Sequence, residues 1–312
     1  MRFVGIGDER MKTIVVALGG NALIAKGQRG TTKEQLENLR VPMRQIAQLS
    51  REYRIVITHG NGPQVGNILL QQEATDEVPK MPLGICVAMT QGQIGHMIES
   101  VLDEELTKLG ISDDKLFLTV LTYAKVDEND PAFRNPTKPI GPTYSDPIPG
   151  YVRKTPQGYR RLVSSPMPIK TYQRREIKTL VEMGFIVIAC GGGGIPVFKR
   201  DGKLSLAEAV IDKDLASARL AEEIGAHILL ILADVERVAL NYRQPNQVDL
   251  RMMRIEEAER YLEEGQFPAG SMGPKVQAAI SFLNAGGERA IISHLEKMSE
   301  ALNGKTGTEI CR

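Results

Sequence analysis

Residues 208–214 read EAVIDKD, which sets Lys213 between two carboxylates, Asp212 and Asp214, where a helical segment (LASARLAEEIGA) begins. A lysine so placed stays charged and is aimed by its neighbours, and the helix N-terminus beside it favours bound anions. Three glycine clusters share this character: LGGNAL at 18–23, HGNGPQ at 59–64 and CGGGGIP at 190–196, each just after an apolar, strand-like run. An open α/β sheet turns backbone N–H groups toward phosphate at such places. With Lys138 and Lys275 as further cations, these residues suit phosphoryl transfer.

Familiar single-motif solutions do not fit. No GxxxxGKS/T occurs; Gly304-Lys305-Thr306 resembles its end, but Ser299 stands at the first glycine position. HGNGPQVG has the wrong spacing for a dinucleotide fingerprint. The protein-kinase HRD and DFG elements are absent. AGSMG at 269–273 has Ala269 where a serine-hydrolase elbow needs glycine. There is no HExxH, and the histidines at 59, 96, 227 and 294 are too scattered to suggest a metal site. Only His59, beside GNG, lies close to the expected chemistry. Phosphate binding must then come from several separated turns.

The elements that position these turns alternate. Strands are expected at 13–18 (TIVVAL), 54–59 (RIVITH), 116–121 (LFLTVL), 185–190 (FIVIAC), 227–234 (HILLILAD) and 289–294 (RAIISH). Helical patterns run from about 33 to 51, 64 to 72, 87 to 109, 175 to 183, from Lys213 onward, 255 to 264 and 274 to 285. Apolar β-branched runs without alternation suit strands covered on both faces, so a parallel α/β fold with helices on both sides is expected. Residues 123–172 interrupt the pattern with prolines at 131, 136, 139, 142, 147 and 149, followed by the basic stretch YVRKTPQGYRR. Proline at this density rules out a long helix, and a structureless loop of this length is uncommon inside a domain. Hairpins forming a small lobe or lid are expected, with Lys138 on a stiff backbone between Thr137 and Pro139.

Composition sets outer limits. The chain has 312 residues, enough for one large α/β domain, and a formal net charge of +1, which gives no electrostatic case for nucleic acid or an anionic membrane. No apolar run approaches the roughly 18–20 residues that span a bilayer. The segment MRFVGIGDER lacks the apolar core of a secretion signal, and either Met1 or Met11 serves as a start. Cys86, Cys190 and Cys311 form no CxxC pair, which fits free thiols in a reducing cytoplasm.

The motifs together resemble the carbamate kinase family, a branch of the amino acid kinase superfamily, from about Lys12 to Ile310. The matching pieces are ALGGNAL (17–23), THGNGPQVGN (58–67), AMTQGQIGHM (88–97), NPTKPIGP (135–142), CGGGGIPV (190–197), EAVIDKDLA (208–216) and GSMGPKV (270–276). NPTKPIGP and EAVIDKD, in this order, carry the most specificity. The resemblance implies a three-layer αβα sandwich with a mainly parallel sheet and a small protruding lid subdomain at 123–172, within one domain over 1–312. It implies reversible transfer between ATP and carbamate, giving ADP and carbamoyl phosphate, with Mg²⁺ carried by the nucleotide and a homodimeric assembly. It assigns Lys138, Lys213 and Lys275 to the reacting phosphates and Asp214 to organising lysines. Gly19, Gly20 and Asn21 match the first phosphate turn, Gly60, Asn61 and Gly62 the turn near carbamate, and Gly191, Gly192, Gly193 and Gly194 the glycine run lining the site. Asp234, Val238, Tyr242 and Met272 fall to the nucleotide, although Met272, like Met89 and Met97, reads by itself as packing.

One departure is visible: the family's VYIN-like stretch is RVALNY here, with Ala239 at the aromatic position and Tyr242 three residues on. Asp212 is expected to do little beyond capping its helix. Two other readings stand beside the main one. Another acyl-phosphate-forming kinase, of the acetylglutamate type, needs room for a second carboxylate; a non-catalytic nucleotide sensor would betray itself by degenerate lysines.

Overall fold

Unbroken Ile, Val and Leu runs make strands that need cover on both faces. In the computed structural model, which describes residues 11–312 and only the backbone of Asn21, they form one eight-stranded sheet. Its order is Met252–Arg254, Thr308–Cys311, Arg289–His294, Ile228–Ala233, Thr13–Leu18, Arg54–His59, Ile186–Ile188, Phe117–Thr119. The last six of these run parallel. Thr308–Cys311 turns antiparallel to Arg289–His294 and carries Met252–Arg254 parallel to itself. Neither of these two short strands is expected from hydropathy, because each is only three or four residues long. The segment ahead of Met11, with the question of the start, lies outside the described residues.

Period-two alternation sorts each central strand between two cores. Ile14, Val16 and Leu18 face one side with Ile228, Leu230 and Leu232, packed under helices α1 (Thr32–Leu49), α3 (Leu83–Lys108) and α8 (Met298–Leu302). Val15, Ala17, Leu229 and Ile231 face the other, under α4 (Arg174–Glu182), α5 (Lys213–Ile224), α6 (Ile255–Glu263) and α7 (Met272–Asn284). The result is the expected three-layer αβα sandwich. Helix α2 (Gly62–Glu73) leads from the strand Arg54–His59 and packs instead over a third, smaller core with Val65 at its centre.

The Pro-rich stretch divides between two sheets. Its ends, Tyr123–Lys125 and Lys170–Thr171, pair with each other, and the former also pairs with Ile195–Arg200 in a four-stranded sheet. Its middle is a three-stranded antiparallel sheet of Lys138–Tyr144, Gly158–Val163 and Val152–Thr155. That small sheet leans on α2. A Cβ at Gly66 would sit 2.0 Å from the Cα of Gly141, so only two glycines permit this approach. Ile140 is buried in the same small core, and Arg161 grips Glu73 through two hydrogen bonds of 2.6 and 2.8 Å.

Candidate active site

The turns that the sequence nominates lie at the carboxyl ends of the parallel strands, where ligands bind in open α/β sheets. Gly19 follows Thr13–Leu18 and leads into a short turn of 3₁₀ helix, Gly20–Ala22, with Asn21 at its middle. Gly60 and Asn61 join Arg54–His59 to α2, and Asp234 follows Ile228–Ala233. A Cβ at Gly19 would stand 2.9 Å from the carbonyl oxygen of Leu232, so the first turn sits flush against the neighbouring strand.

Two cavities open there. The larger, about 810 Å³, is lined by Gly19, Gly20, Asp234, Ala239, Tyr242 and Met272, among others, with Lys275 at its inner end. The smaller, about 210 Å³, is lined by Gly60, Asn61, Gly62, Lys138, Gly192, Asp212, Lys213 and Asp214, with Lys275 again. Gly20, Gly270, Ser271 and Lys275 belong to both walls. A group passing from one ligand to another would cross at this shared wall.

The charges are interleaved. Asp214, 3% exposed, takes Lys213 on one carboxylate oxygen and Lys275 on the other at 2.8 Å. Burial pushes the Asp214 carboxyl up, but the two ammonium groups outweigh it and hold it well below the usual carboxylate range. Burial lowers Lys213, and Asp214 offsets this only in part while Lys275 repels it. Lys275 is also penalised by burial, yet Asp214 prevails and raises it. Lys213 is thus a buried cation short of negative charge, and an anionic ligand would relieve it. Asp212 corrects the expectation of a mere cap. It caps α5 through the backbone N–H of Asp214 at 2.9 Å and also receives Lys138 from the small sheet.

Two neighbours brace the Gly60 turn. Nδ1 of His59 lies 3.1 Å from the carbonyl oxygen of Gly60. Its Nε2 is buried without a partner among the described residues and faces Gly191, where a Cβ would come within 2.6 Å. Burial, aided by the charge of Lys213, pushes this imidazole down to about 4, so it is neutral near pH 7. Asn61 donates to Thr90 Oγ1 at 2.8 Å, and Gly192, with φ of +62°, passes where a Cβ would strike the Asn61 amide.

Several nominated residues land elsewhere. Of the glycine run, only Gly192 lines the small cavity. Gly191, Gly193 and Gly194 are buried behind it, giving close passage to His59, Ile211 and Ala124 respectively. Val238 is fully buried in the core and lines neither cavity, whereas its neighbour Ala239 does line the larger one. Gly270 and Ser271 were within reach of sequence reasoning, since they begin the GSMGPKV piece. Lys26, Arg237 and Phe267 also line the larger cavity, and no motif surrounds them. Among the described residues no three His, Cys, Asp or Glu side chains gather as a metal cluster, and no helix is long and apolar enough to cross a membrane.

A model of the amino acid kinase family matches residues 12–294. The carbamate kinase of Pyrococcus furiosus is 51% identical over 312 residues, covering 96% of this chain and 99% of that one. The structure of a carbamate kinase from Giardia lamblia bound to AMP-PNP superposes with a TM-score of 0.88 at 38% identity, over 97% of this chain and 99% of that one. An N-acetylglutamate synthase from Neisseria gonorrhoeae aligns with a TM-score of 0.61 at 17% identity, covering 96% of this chain and 61% of that one; it shares the fold alone.

Proposed function

This chain belongs to the amino acid kinase family and, within it, to the carbamate kinases, and we propose that its two cavities divide one reaction between them. It transfers a phosphoryl group reversibly between ATP and carbamate. The nucleotide occupies the larger cavity, with its terminal phosphates directed at Gly20, Ser271 and Lys275. Carbamate occupies the smaller one, between the Gly60–Gly62 turn and Lys213. The observation that carries this reading is the wall common to both cavities, with Lys275 on it and Lys213 beside it, both held by Asp214.

The carbamate oxygen attacks the terminal phosphorus as the bond to the bridging oxygen of ADP breaks. Carbamate is already an anion, so no proton has to be removed. His59 fits that requirement, because burial and the charge of Lys213 leave it a weak base. The obstacle is repulsion: two unit charges about 4 Å apart cost roughly 4 kcal/mol at an effective dielectric near 20. Lys138, Lys213 and Lys275 offset it and stabilise the charge that spreads over the phosphoryl oxygens in a loose transition state. Asp212 and Asp214 are committed to these lysines, and Asp234 lines the larger cavity, where its charge also favours Lys275. This donor set suits a magnesium ion held through nucleotide phosphates and water rather than by a protein cage. When bound, such an ion supplies further charge neutralisation.

The 51% identity to a carbamate kinase over 96% of this chain argues against the acetylglutamate alternative. Three convergent lysines argue against a sensor that has lost catalysis. ADP release should be followed with ATP and Mg²⁺ against a panel of acids, with carbamate formed from bicarbonate and ammonia. Turnover restricted to carbamate is expected; phosphorylation of acetylglutamate with none of carbamate would overturn the reading.

A further inference from the structure

Asp212 uses its two carboxylate oxygens for different ends. Oδ1 accepts from the backbone N–H groups of Asp214 at 2.9 Å and Leu215 at 3.4 Å, closing the first turn of α5. Oδ2 receives the ammonium of Lys138 from a separate sheet, 74 residues away in sequence. A helix cap needs one oxygen only, and Asn or Ser serves as well there. The second contact therefore has to be accounted for by something other than helix capping.

The surrounding charges leave Lys138 to Asp212. Asp214 is filled by Lys213 and Lys275, one on each oxygen. The Lys138 backbone is fixed two residues from buried Ile140, but its side chain is long and 32% exposed. Left unanchored, such a chain samples many rotamers, and ordering it costs conformational entropy. Because Oδ1 is tied to the first turn of α5, whose first residue is Lys213, one carboxylate sets the position of one lysine relative to the other. An arriving phosphoryl group then takes over the ammonium of Lys138, and Asp212 keeps its two backbone N–H donors.

We propose that Asp212 is a positioning residue for the transfer step, holding Nζ of Lys138 at the small cavity in register with Lys213. This rests on the carbamate kinase reading above and adds to it a part for the residue preceding the catalytic lysine.

The test uses the full chain carrying Asp212→Asn or Asp212→Ser, together with Lys138→Ala and the double variant Asp212→Asn/Lys138→Ala. Asn and Ser both keep the cap, so melting temperatures should stay within about 2 °C of wild type. Neither substitute holds an ammonium as a carboxylate does, so kcat for ATP formation from carbamoyl phosphate and ADP should fall roughly 10-fold or more, with KM for ADP changed less than about twofold. Adding Asp212→Asn to Lys138→Ala should cost nothing further, because the two act through one contact. Wild-type kcat in both Asp212 variants would overturn the proposal. So would a full additional loss in the double variant, or a loss of kcat that tracks a drop in melting temperature. An inactive wild-type enzyme would instead overturn the underlying reading, and this inference with it.

Discussion

At the scale of single residues, the site is a set of lysines held by carboxylates whose own charge is secured. Asp214 stays ionised because two ammonium groups outweigh its burial, and it holds Lys213 and Lys275 on either oxygen. Lys213→Ala or Lys275→Ala should each lower kcat by roughly 10²-fold or more, the scale for losing a preorganised electrostatic donor. Circular dichroism should show the fold intact, and near-wild-type turnover would remove that lysine from the reaction. His59 offers a separate check through stability. The unfolded imidazole takes up its proton near pH 6.5, whereas the folded one resists until about 4. Its contribution is therefore complete above pH 6.5 and is lost as pH falls through that window, by about 3 kcal/mol in all. Urea unfolding of wild type and His59→Gln from pH 7 to 4 should show this extra slope in wild type alone; equal slopes would contradict it.

At the scale of elements, the small antiparallel sheet and helix α2 share one packed contact. Their interface includes Gly66 against Gly141, Ile140 in a common core and the Arg161–Glu73 pair. In the structure Gly141 is clamped by α2, and a Cβ at Gly158 would strike the carbonyl oxygen of Tyr144 at 2.3 Å. Any closure of the sheet over the site should then carry α2, and with it the Asn61–Gly62 turn. Hydrogen exchange with ADP and an unreactive carbamoyl phosphate analogue should slow in 62–73 and 138–163 together. Slowing in the sheet alone would mean that it swings on its own. Gly66→Ala should displace the sheet and lower kcat by roughly 10-fold or more, since misplacement by about 1 Å can cost 10²-fold. ADP affinity, which the larger cavity is proposed to set, should be retained. A Gly66→Ala enzyme with full turnover would show that the close approach is dispensable.

At the scale of the whole molecule, the central architecture was legible because burial on both faces leaves an unmistakable pattern. TIVVAL, RIVITH and RAIISH are strands to the residue. Thr308–Cys311 and Met252–Arg254 were not legible, since so short a strand owes its existence to its neighbours rather than to its own composition. The same divide runs through the site. Lys213 and Asp214 announce themselves by standing at a helix start, and the glycine clusters by following strands. Sequence alone cannot separate Gly192, which lines the cavity, from Gly191 and Gly193, which make room for His59 and Ile211, because every member of the run is a glycine for steric reasons. Nor can it show that Lys138 reaches Asp212, a contact made between the small sheet and the start of α5.

The same scale governs the metal and the reaction. Titration calorimetry of the free protein with Mg²⁺ should show no tight binding, and addition of ADP should produce it; micromolar affinity without nucleotide would contradict a phosphate-borne ion. The most direct measurement of the central claim follows phosphorus by NMR while the enzyme is mixed with carbamoyl phosphate, ADP and Mg²⁺. The account predicts that the carbamoyl phosphate signal is replaced mole for mole by the γ-phosphate of ATP, and that the conversion slows by roughly 10²-fold in Lys275→Ala. Carbamoyl phosphate decaying to inorganic phosphate at its uncatalysed rate, with ADP unchanged, would contradict it.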